Sequence, residues 1–340
     1  MRRKRILKRI GTILLVGCIG IGVLGCAVAI HPQLVVGLIQ KMMYKDHPVN
    51  TFSPLHKPCC GITEAGLYKI TDLEYGKKYP NSYLDIIYPS QNRMENHPTL
   101  FYFHGGGFFG GSKDMGDPMA ANEATALLDD LVKAGFTIVN VDYALVPDYH
   151  FPVPLIQANQ AFAWASQHAD AYHLDMQNVI IMGSSAGAIM ASQLGSALTN
   201  RNYAKAIGIK PSLHAKQVKA IVIDDAPLDY DTFSFACRLL IGNYVKGTIF
   251  LSQEDKSLYN PISHVTSEYP PTFLLGSEYR MDMNKMHDAL DKAGVVNELV
   301  DPLKEKGKKM PHCFVSEERT NSTAADAFRR LVHFLNKQSS

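Results

Sequence analysis

Gly183-Ser184-Ser185-Ala186-Gly187 is the stretch of sequence that decides the fold. It follows an apolar run at residues 179–182, which predicts a buried strand, and it opens a segment at residues 186–199 whose apolar spacing predicts a helix. A sharp turn from strand to helix needs small residues on either side, exposes the central hydroxyl, and directs the helix N-terminus toward developing negative charge. The stretch therefore predicts a nucleophile elbow with Ser185 as the nucleophile.

Alternating strand and helix patterns continue on both sides of this turn. Further strands are predicted at residues 84–88, 99–103, 136–141, 218–223 and 272–275, and further helices at 122–134, 154–168, 283–293 and 324–336. This alternation predicts an α/β fold, with a mostly parallel central sheet covered by helices and with functional groups at the carboxyl ends of the strands. Residues 229–264 break the alternation, and we expect them to form a small cap insertion over the site.

A run of glycines follows the predicted strand at residues 99–103. In His104-Gly105-Gly106-Gly107, the absence of side chains lets backbone N–H groups face a pocket, as an oxyanion hole requires. A phosphate-binding loop is the competing interpretation, but the Lys-Ser or Lys-Thr pair of a P-loop is missing. We predict that this loop stabilises a tetrahedral intermediate.

A candidate base lies near the end of the chain. Met310-Pro311-His312-Cys313-Phe314 precedes the last predicted helix, and His312 follows Ser185 by 127 residues. This position agrees with the chain order of nucleophile, acid and histidine in α/β hydrolases. We predict that His312 is the general base and acid.

These motifs, together with the stretch at residues 141–152, resemble the hormone-sensitive-lipase-like esterase family in order and spacing over residues 84–335. The resemblance implies an α/β-hydrolase fold, hydrolysis of carboxylic esters without a cofactor or metal, and a cap over the site. At the matching positions it implies Ser185 as nucleophile and His312 as general base and acid. It also implies that the N–H groups of Gly106, Gly107 and Ala186 form the oxyanion hole.

The acid is where this chain departs from the family pattern. Counting onward from the predicted strand at residues 272–275 reaches Arg280, and an arginine cannot orient or neutralise an imidazolium. Asp282, two residues later, is our prediction for the acid. Glu278 is the alternative, because a glutamate serves in this role in related hydrolases.

The N-terminal segment has the composition of a membrane anchor. Residues 10–30 contain no charged side chain, and at about 1.5 Å per residue they are long enough to cross a bilayer core. Six basic residues precede them, namely Arg2, Arg3, Lys4, Arg5, Lys8 and Arg9. The positive-inside rule then predicts a single-pass protein of the cell membrane with an extracytoplasmic catalytic domain. A bacterial lipoprotein modified at Cys18 or Cys26 is the second choice.

The chain is thus expected to have three parts. Residues 1–31 form the basic cytoplasmic segment and the transmembrane anchor, residues 32–66 form a juxtamembrane linker that contributes to the cap, and residues 67–340 form the catalytic domain. Cys59, Cys60, Cys237 and Cys313 would lie in an exported domain, where disulfides are permitted, and their spacing does not indicate zinc.

Charge limits the partners. The formal net charge is +2, and without the six N-terminal basic residues the remainder has 28 basic and 32 acidic side chains. A mildly acidic body has no surface suited to a nucleic acid, so we expect none as a partner. The expected substrate is a small-molecule or glycan-linked ester. Alternative functions are a deacetylase or feruloyl-type esterase of carbohydrates, an amidase, or a tethered binding protein without activity.

Overall fold

A single mixed sheet of nine strands organises the part of the chain that the structure describes. The structure is a computed structural model, and it describes residues 25–45, 49–90, 95–116 and 124–339. The strands are β1 (Cys60–Ile62), β2 (Tyr68–Glu74), β3 (Tyr83–Tyr88), β4 (Pro98–Phe103), β5 (Thr137–Val141), β6 (Asp175–Ser184), β7 (Val218–Asp224), β8 (Thr272–Leu275) and β9 (Asn297–Val300). Their spatial order is β1-β2-β3-β5-β4-β6-β7-β8-β9. Strands β1, β2, β3 and β5 pair antiparallel, and all pairs from β5 to β9 are parallel.

The central strands are apolar throughout because both faces of the sheet are covered. All five residues of β5 are buried, as expected for a parallel strand between two layers of helices. Alternate residues enter different cores: Phe101 and Ile181 lie in one cluster, whereas Leu100 and Ile180 lie in the other. The predicted α/β fold with a mostly parallel sheet is therefore confirmed.

Twelve helices with defined bounds surround this sheet in the described ranges. They are α1 (Gln33–Tyr44), α2 (Ala124–Lys133), α3 (Val153–Gln167), α4 (Ala169–Tyr172), α5 (Ala186–Thr199), α6 (Arg201–Ala206), α7 (Phe235–Lys246), α8 (Gln253–Tyr259), α9 (Arg280–Lys292), α10 (Pro302–Lys306), α11 (Phe314–Glu317) and α12 (Ser322–Ser339). Short 3-10 helices occur at Ala215–Gln217, Tyr230–Thr232 and Pro261–His264. The elbow stretch lies between β6 and α5, as its sequence predicts.

The insertion between β7 and β8 contains α7 and α8, and it joins the N-terminal helix. The Asn243 side chain on α7 donates a hydrogen bond to Gln33 Oε1 on α1 at 2.9 Å. The Ile249 N–H, beyond α7, donates to the Ala29 carbonyl at 3.1 Å. Segments far apart in sequence, from the predicted linker and the predicted insertion, are therefore packed together.

The predicted transmembrane segment at residues 10–30 lies largely outside the described residues. Residues 25–30 are described, and they are helical. Within the described ranges, no helix has both the length and the apolar character that crossing a bilayer would require. The same ranges hold no disulfide: Cys59 and Cys60 are exposed, and Cys237 and Cys313 are buried.

Candidate active site

Ser185 stands at the tip of the turn between β6 and α5. Its φ of +53° and ψ of −114° are rarely adopted by residues other than glycine, and such backbone strain is characteristic of functional positions. The Ser185 N–H donates to the Asp224 carbonyl at 2.9 Å, which ties the turn to the end of β7. The turn places the partly exposed Ser185 at the carboxyl edge of the sheet.

Two glycines make this turn possible. A Cβ at Gly183 would lie 2.1 Å from the Gly187 carbonyl carbon, and a Cβ at Gly187 would lie 1.9 Å from the Phe103 carbonyl oxygen. Helix α5 therefore starts in contact with the end of β4, where the glycine loop begins. The two motifs are close together because only glycine permits this approach.

The glycine loop folds back on itself after β4. Gly106 and Gly107 have φ values of +105° and +59°, and the Gly106 carbonyl accepts hydrogen bonds from the N–H groups of Phe109 and Gly110 at 3.1 and 3.0 Å. The first N–H groups of a helix have no partner within it, so the Ala186 N–H at the start of α5 is available to a ligand. The loop and the helix start offer donors of the kind that an oxyanion hole uses.

The buried side chain of His104 packs inside this loop. It is buried, its ring stacks on Tyr143 at 4.2 Å between centroids, and the Tyr143 hydroxyl donates to the His104 carbonyl at 2.7 Å. A Cβ at Gly111 would lie 2.4 Å from His104 Nδ1, so the loop closes tightly around the ring. His104 is a structural part of the motif, and Gly106 and Gly107 follow it in the loop.

His312 is held by a carboxylate that sequence reasoning missed. Its Nδ1 lies 2.7 Å from Oδ2 of Asp225, which directly follows β7. The Asp225 carboxylate also accepts hydrogen bonds from the Ser277 hydroxyl and from the N–H groups of Ser277, Glu278 and Tyr279. A carboxylate with this many donors has a fixed orientation and stays ionised.

The two partners change each other's pKa. Burial alone would lower the pKa of His312, but the hydrogen bond to Asp225 and its negative charge prevail and raise it to about 9. Burial would raise the pKa of Asp225, yet its hydrogen bond to His312 and the charge of that ring lower it. The Asp225 carboxylate therefore stabilises the imidazolium, which is the role of the acid in a catalytic triad.

The prediction of Asp282 as the acid is wrong. Asp282 lies on α9, and its Oδ2 accepts hydrogen bonds from the N–H groups of Leu228 and Asp229 at 2.9 and 3.4 Å. Asp282 thus binds the backbone at the start of the insertion, whereas Asp225, directly after β7, contacts His312. Burial raises the pKa of Asp282.

The other two positions near β8 also have different roles. Glu278, the alternative acid, has an Oε2 3.7 Å from His312 Nδ1, but its side chain is 58% exposed. Arg280 forms an ion pair with Asp301 at 2.8 Å. The Glu278 carboxylate thus lies at the rim of the site, and Asp225 holds the inner position.

A second buried carboxylate adjoins Asp225. Asp224 accepts a hydrogen bond from the Ser184 hydroxyl at 2.8 Å, and burial raises its pKa to about 7. The Asp224 backbone carbonyl accepts hydrogen bonds from the Ser185 N–H at 2.9 Å and from the Cys313 thiol at 3.7 Å. The end of β7 therefore connects the serine elbow with the histidine loop.

His312 lines a cavity of about 430 Å³, and Glu278 lines both this cavity and a second one of about 510 Å³. Phe233, Cys237, Tyr279 and Met281 line the second cavity, and the Tyr279 ring meets the His312 ring edge-on at 5.3 Å. Tyr279 therefore lies between the second cavity's apolar side chains and the candidate base. In the described part of the chain, there is no cluster of three His, Cys, Asp or Glu residues that could bind a metal.

Comparison with known proteins agrees with this architecture. The sequence profile of the BD-FAE family matches residues 84–282. An α/β hydrolase of Acanthamoeba polyphaga mimivirus is 33% identical over 111 residues, or 32% of this chain. The chain spans 29% of the length of that curated relative.

Two solved structures are similar over most of the chain. Esterase B from Lactobacillus rhamnosis HN001 has a TM-score of 0.68 at 16% identity, covering 90% of this chain and 92% of its own. A truncated carbohydrate esterase from gut microbiota has a TM-score of 0.61 at 16% identity, covering 82% of this chain and 99% of its own. The similarities support the prediction of an esterase-type α/β hydrolase.

Proposed function

The chain belongs to the BD-FAE family, and we propose that it is a serine carboxylic ester hydrolase that works through an acyl-enzyme intermediate. The observation that supports this most strongly is the 2.7 Å contact between His312 Nδ1 and Asp225, at the edge of the sheet where Ser185 occupies its strained turn. A nucleophile, a base and an orienting carboxylate are the three groups that this chemistry needs.

Acylation begins at the Ser185 hydroxyl. His312 accepts the hydroxyl proton while Oγ attacks the ester carbonyl, and the Asp225 carboxylate stabilises the resulting imidazolium. The N–H groups of Gly106, Gly107 and Ala186 stabilise the negative charge on the carbonyl oxygen. His312 then returns the proton to the leaving alcohol, and Ser185 remains esterified.

Deacylation repeats these steps with water. His312 takes a proton from a water molecule, the hydroxide attacks the acyl carbonyl, and the proton returns to Ser185 as the carboxylic acid leaves. No cofactor is needed, because every proton is held by a side chain or by the substrate.

The Ser185→Ala variant tests this proposal, with Ser184→Ala as its matched control. Ser184 is the neighbouring hydroxyl in the same turn, but its hydrogen bond goes to the buried Asp224. We expect Ser185→Ala to abolish hydrolysis of short p-nitrophenyl esters and Ser184→Ala to retain it. Unchanged turnover by a folded Ser185→Ala enzyme would refute the assignment.

Hydrolysis of acetyl or feruloyl esters on carbohydrates is the second candidate. The carbohydrate esterase from gut microbiota, which has the same fold as this chain, favours it. Acetate release from acetylated xylan, compared with hydrolysis of glycerol esters, distinguishes the two substrate classes. A binding protein without activity is the remaining alternative, and labelling by a fluorophosphonate would exclude it because the probe reacts with activated serines.

The N-terminal segment adds a location to this proposal. Residues 10–30 are uncharged and follow six basic residues, which supports an uncleaved anchor with the catalytic domain outside the cell membrane. If the protein is instead a lipoprotein, the intact mass of the membrane-bound protein corresponds to a lipid-modified chain that begins at Cys18 or Cys26. For an uncleaved anchor, the intact mass is that of the full chain without lipid.

A further inference from the structure

Helix α1 has apolar side chains on its exposed face. On its inner face, Val36 and Gln40 are buried against the domain. Its outer face presents Leu34, Leu38 and Met42, which are 58%, 61% and 75% exposed. A helix on the surface of a globular protein ordinarily has polar residues on its outer side. The outer face of α1 is therefore suited to a second apolar environment.

The apolar row extends toward the N-terminus. Leu34, Leu38 and Met42 form one row on α1 at a spacing of four residues. Ile30 is 49% exposed at the end of the preceding helical segment, separated from α1 by two residues. We call these four side chains the outer stripe. Phe250 of the insertion is 68% exposed and adjoins Ile249, whose N–H bonds to the Ala29 carbonyl. Phe250 is thus placed near the start of the stripe.

Two exposed lysines lie at the end of the helix that carries the outer stripe. Lys41 and Lys45 are exposed at the end of α1, and the first acidic residue of the chain is Asp46. Toward the N-terminus, the sequence continues into residues 10–24, which contain no charged side chain. A helix with an exposed apolar row, lysines at its end and no acidic residue within residues 33–44 matches the surface of an anionic phospholipid bilayer.

Helix α1 also lies at the edge of the sheet that holds the site. Gln40 Nε2 donates hydrogen bonds to the carbonyls of Phe109 and Val146 at 2.9 and 2.8 Å. The Gly111 N–H donates to the Tyr44 hydroxyl at 2.7 Å. These partners follow the carboxyl ends of β4 and β5, and β4 pairs with β6, which leads into Ser185. A surface that meets the outer stripe is therefore on the active-site side of the domain.

We propose that the outer stripe docks on the phospholipid bilayer and holds the active-site edge against it, so that the enzyme hydrolyses lipophilic esters dissolved in the membrane. The inference rests on the proposed esterase function and the proposed anchor. It adds a docking surface made by Ile30, Leu34, Leu38 and Met42, and it assigns a substrate class to the site.

Side-chain oxidation of the full chain tests the docking surface directly. The protein is bound to vesicles of phosphatidylcholine and phosphatidylglycerol and exposed to hydroxyl radicals, and oxidation is measured by mass spectrometry. Met42 is 75% exposed on α1, and the control is the same protein at the same radical dose without vesicles. We expect Met42 to oxidise about fivefold more slowly with vesicles than without them, because lipid excludes water from the stripe. Equal rates in the two samples would overturn the proposal, as would failure of the protein to float with the vesicles.

A stripe variant identifies what covers the helix. We expect the Leu34→Gln/Leu38→Gln variant to restore Met42 oxidation, and the matched Val296→Gln/Leu303→Gln variant, which alters exposed apolar residues elsewhere, to leave it unchanged. Shielding of Met42 that increases with protein concentration at a fixed amount of lipid would indicate a second copy of the chain. That result would contradict docking on lipid.

Hydrolysis of two substrates tests the assigned substrate class. We expect Leu34→Gln/Leu38→Gln to hydrolyse p-nitrophenyl palmitate in vesicles about tenfold more slowly than the wild type, because the site is no longer held at the surface. Turnover of water-soluble p-nitrophenyl acetate should not change. A vesicle rate equal to that of the wild type would refute the substrate assignment. A wild-type protein that hydrolyses neither ester would refute the proposed esterase function alone, since the oxidation ratio still reports docking.

Discussion

Asp225 and Asp282 are two buried carboxylates with different partners, and their substitution separates the two roles. Asp225→Asn leaves the shape of the site intact but removes the charge that orients His312, so we expect kcat to fall by about 10⁴-fold. Asp282→Asn, the matched control, should keep kcat within about tenfold, because its carboxylate bonds to the backbone of the insertion. The measurement is kcat on a short p-nitrophenyl ester for both variants. A larger loss in Asp282→Asn would reverse the assignment.

The raised pKa of His312 predicts an alkaline pH profile. His312 acts as a base only when neutral, and its pKa of about 9 keeps it protonated below that pH. We therefore expect kcat/KM to rise with pH through an ionisation well above the usual range of histidine. The charge of Glu278, 3.7 Å from His312 and largely exposed, also raises the pKa of His312. Glu278→Gln should shift the rise of kcat/KM to lower pH by roughly half a unit or less, while kcat is retained. A profile that levels off near pH 6.5 would contradict the prediction.

Asp224 predicts a dependence of stability on pH. Its pKa is raised to about 7 in the fold, whereas an unfolded aspartate ionises near 4. The folded state then binds more protons between these values, so the contribution of Asp224 to stability is lost as pH rises from about 4 to 7. We expect the unfolding free energy of Asp224→Asn, measured by urea denaturation from pH 5 to pH 8, to decline less than that of the wild type, by on the order of 2 kcal/mol. Parallel declines would show that Asp224 ionises normally.

At this scale, the sequence predicts the nucleophile and the base but misplaces the acid. Ser185 and His312 each lie in a short local motif: the structure places Ser185 in a sharp turn between β6 and α5 and His312 in contact with a buried carboxylate. The acid depends on which strand end faces the histidine, and this is a property of the packed sheet. A signal was present: Asp224 and Asp225 directly follow an apolar strand, and carboxyl ends of neighbouring parallel strands share one edge. Reliance on the family position near β8 obscured it.

Among the elements, the junction of β6 and α5 is the most constrained. A methyl group at Gly187 would lie 1.9 Å from the Phe103 carbonyl oxygen, whereas nothing lies within 4 Å of the same position at Gly61. We expect Gly187→Ala to lower the unfolding free energy by roughly 1–3 kcal/mol or more, because backbone cannot move aside easily. Gly61→Ala should change it by about 0.5 kcal/mol or less. Thermal and urea denaturation of the two variants measure this difference. Equal unfolding free energies for Gly187→Ala and Gly61→Ala would contradict the close approach at the junction.

Elements with a strong apolar pattern are predicted well, and partly exposed elements near the sheet edges are not. The predicted helix at residues 186–199 coincides with α5, and the strand at 272–275 coincides with β8. Strands β1, β2 and β9 were missed because most of their residues are exposed or only partly buried, whereas all four residues of β8 are buried. They lie at or next to the edges of the sheet, where partly exposed residues give a weak apolar signal. The helices α7 and α8 of the insertion were also missed, since aromatic residues, Pro and Gly indicated only an interruption.

At the scale of the whole molecule, segments from distant parts of the chain meet at one edge of the sheet. The glycine loop, the serine elbow, Asp225 and His312 follow different elements, while α1 and the insertion cover the same edge. The sequence predicted a cap from residues 229–264 and a contribution from residues 32–66. That the two parts hydrogen bond to each other could not be predicted, because no local pattern encodes contacts between segments about 200 residues apart.

The central claim is that Ser185 is a nucleophile activated by His312 and Asp225, and its most direct test is the site and rate of covalent labelling by a fluorophosphonate. The account predicts a single adduct on Ser185 by mass spectrometry, absent in Ser185→Ala, slowed by about 10³-fold or more in Asp225→Asn, and nearly unchanged in Asp282→Asn. An adduct on another residue, or labelling of Asp225→Asn at the wild-type rate, would contradict it.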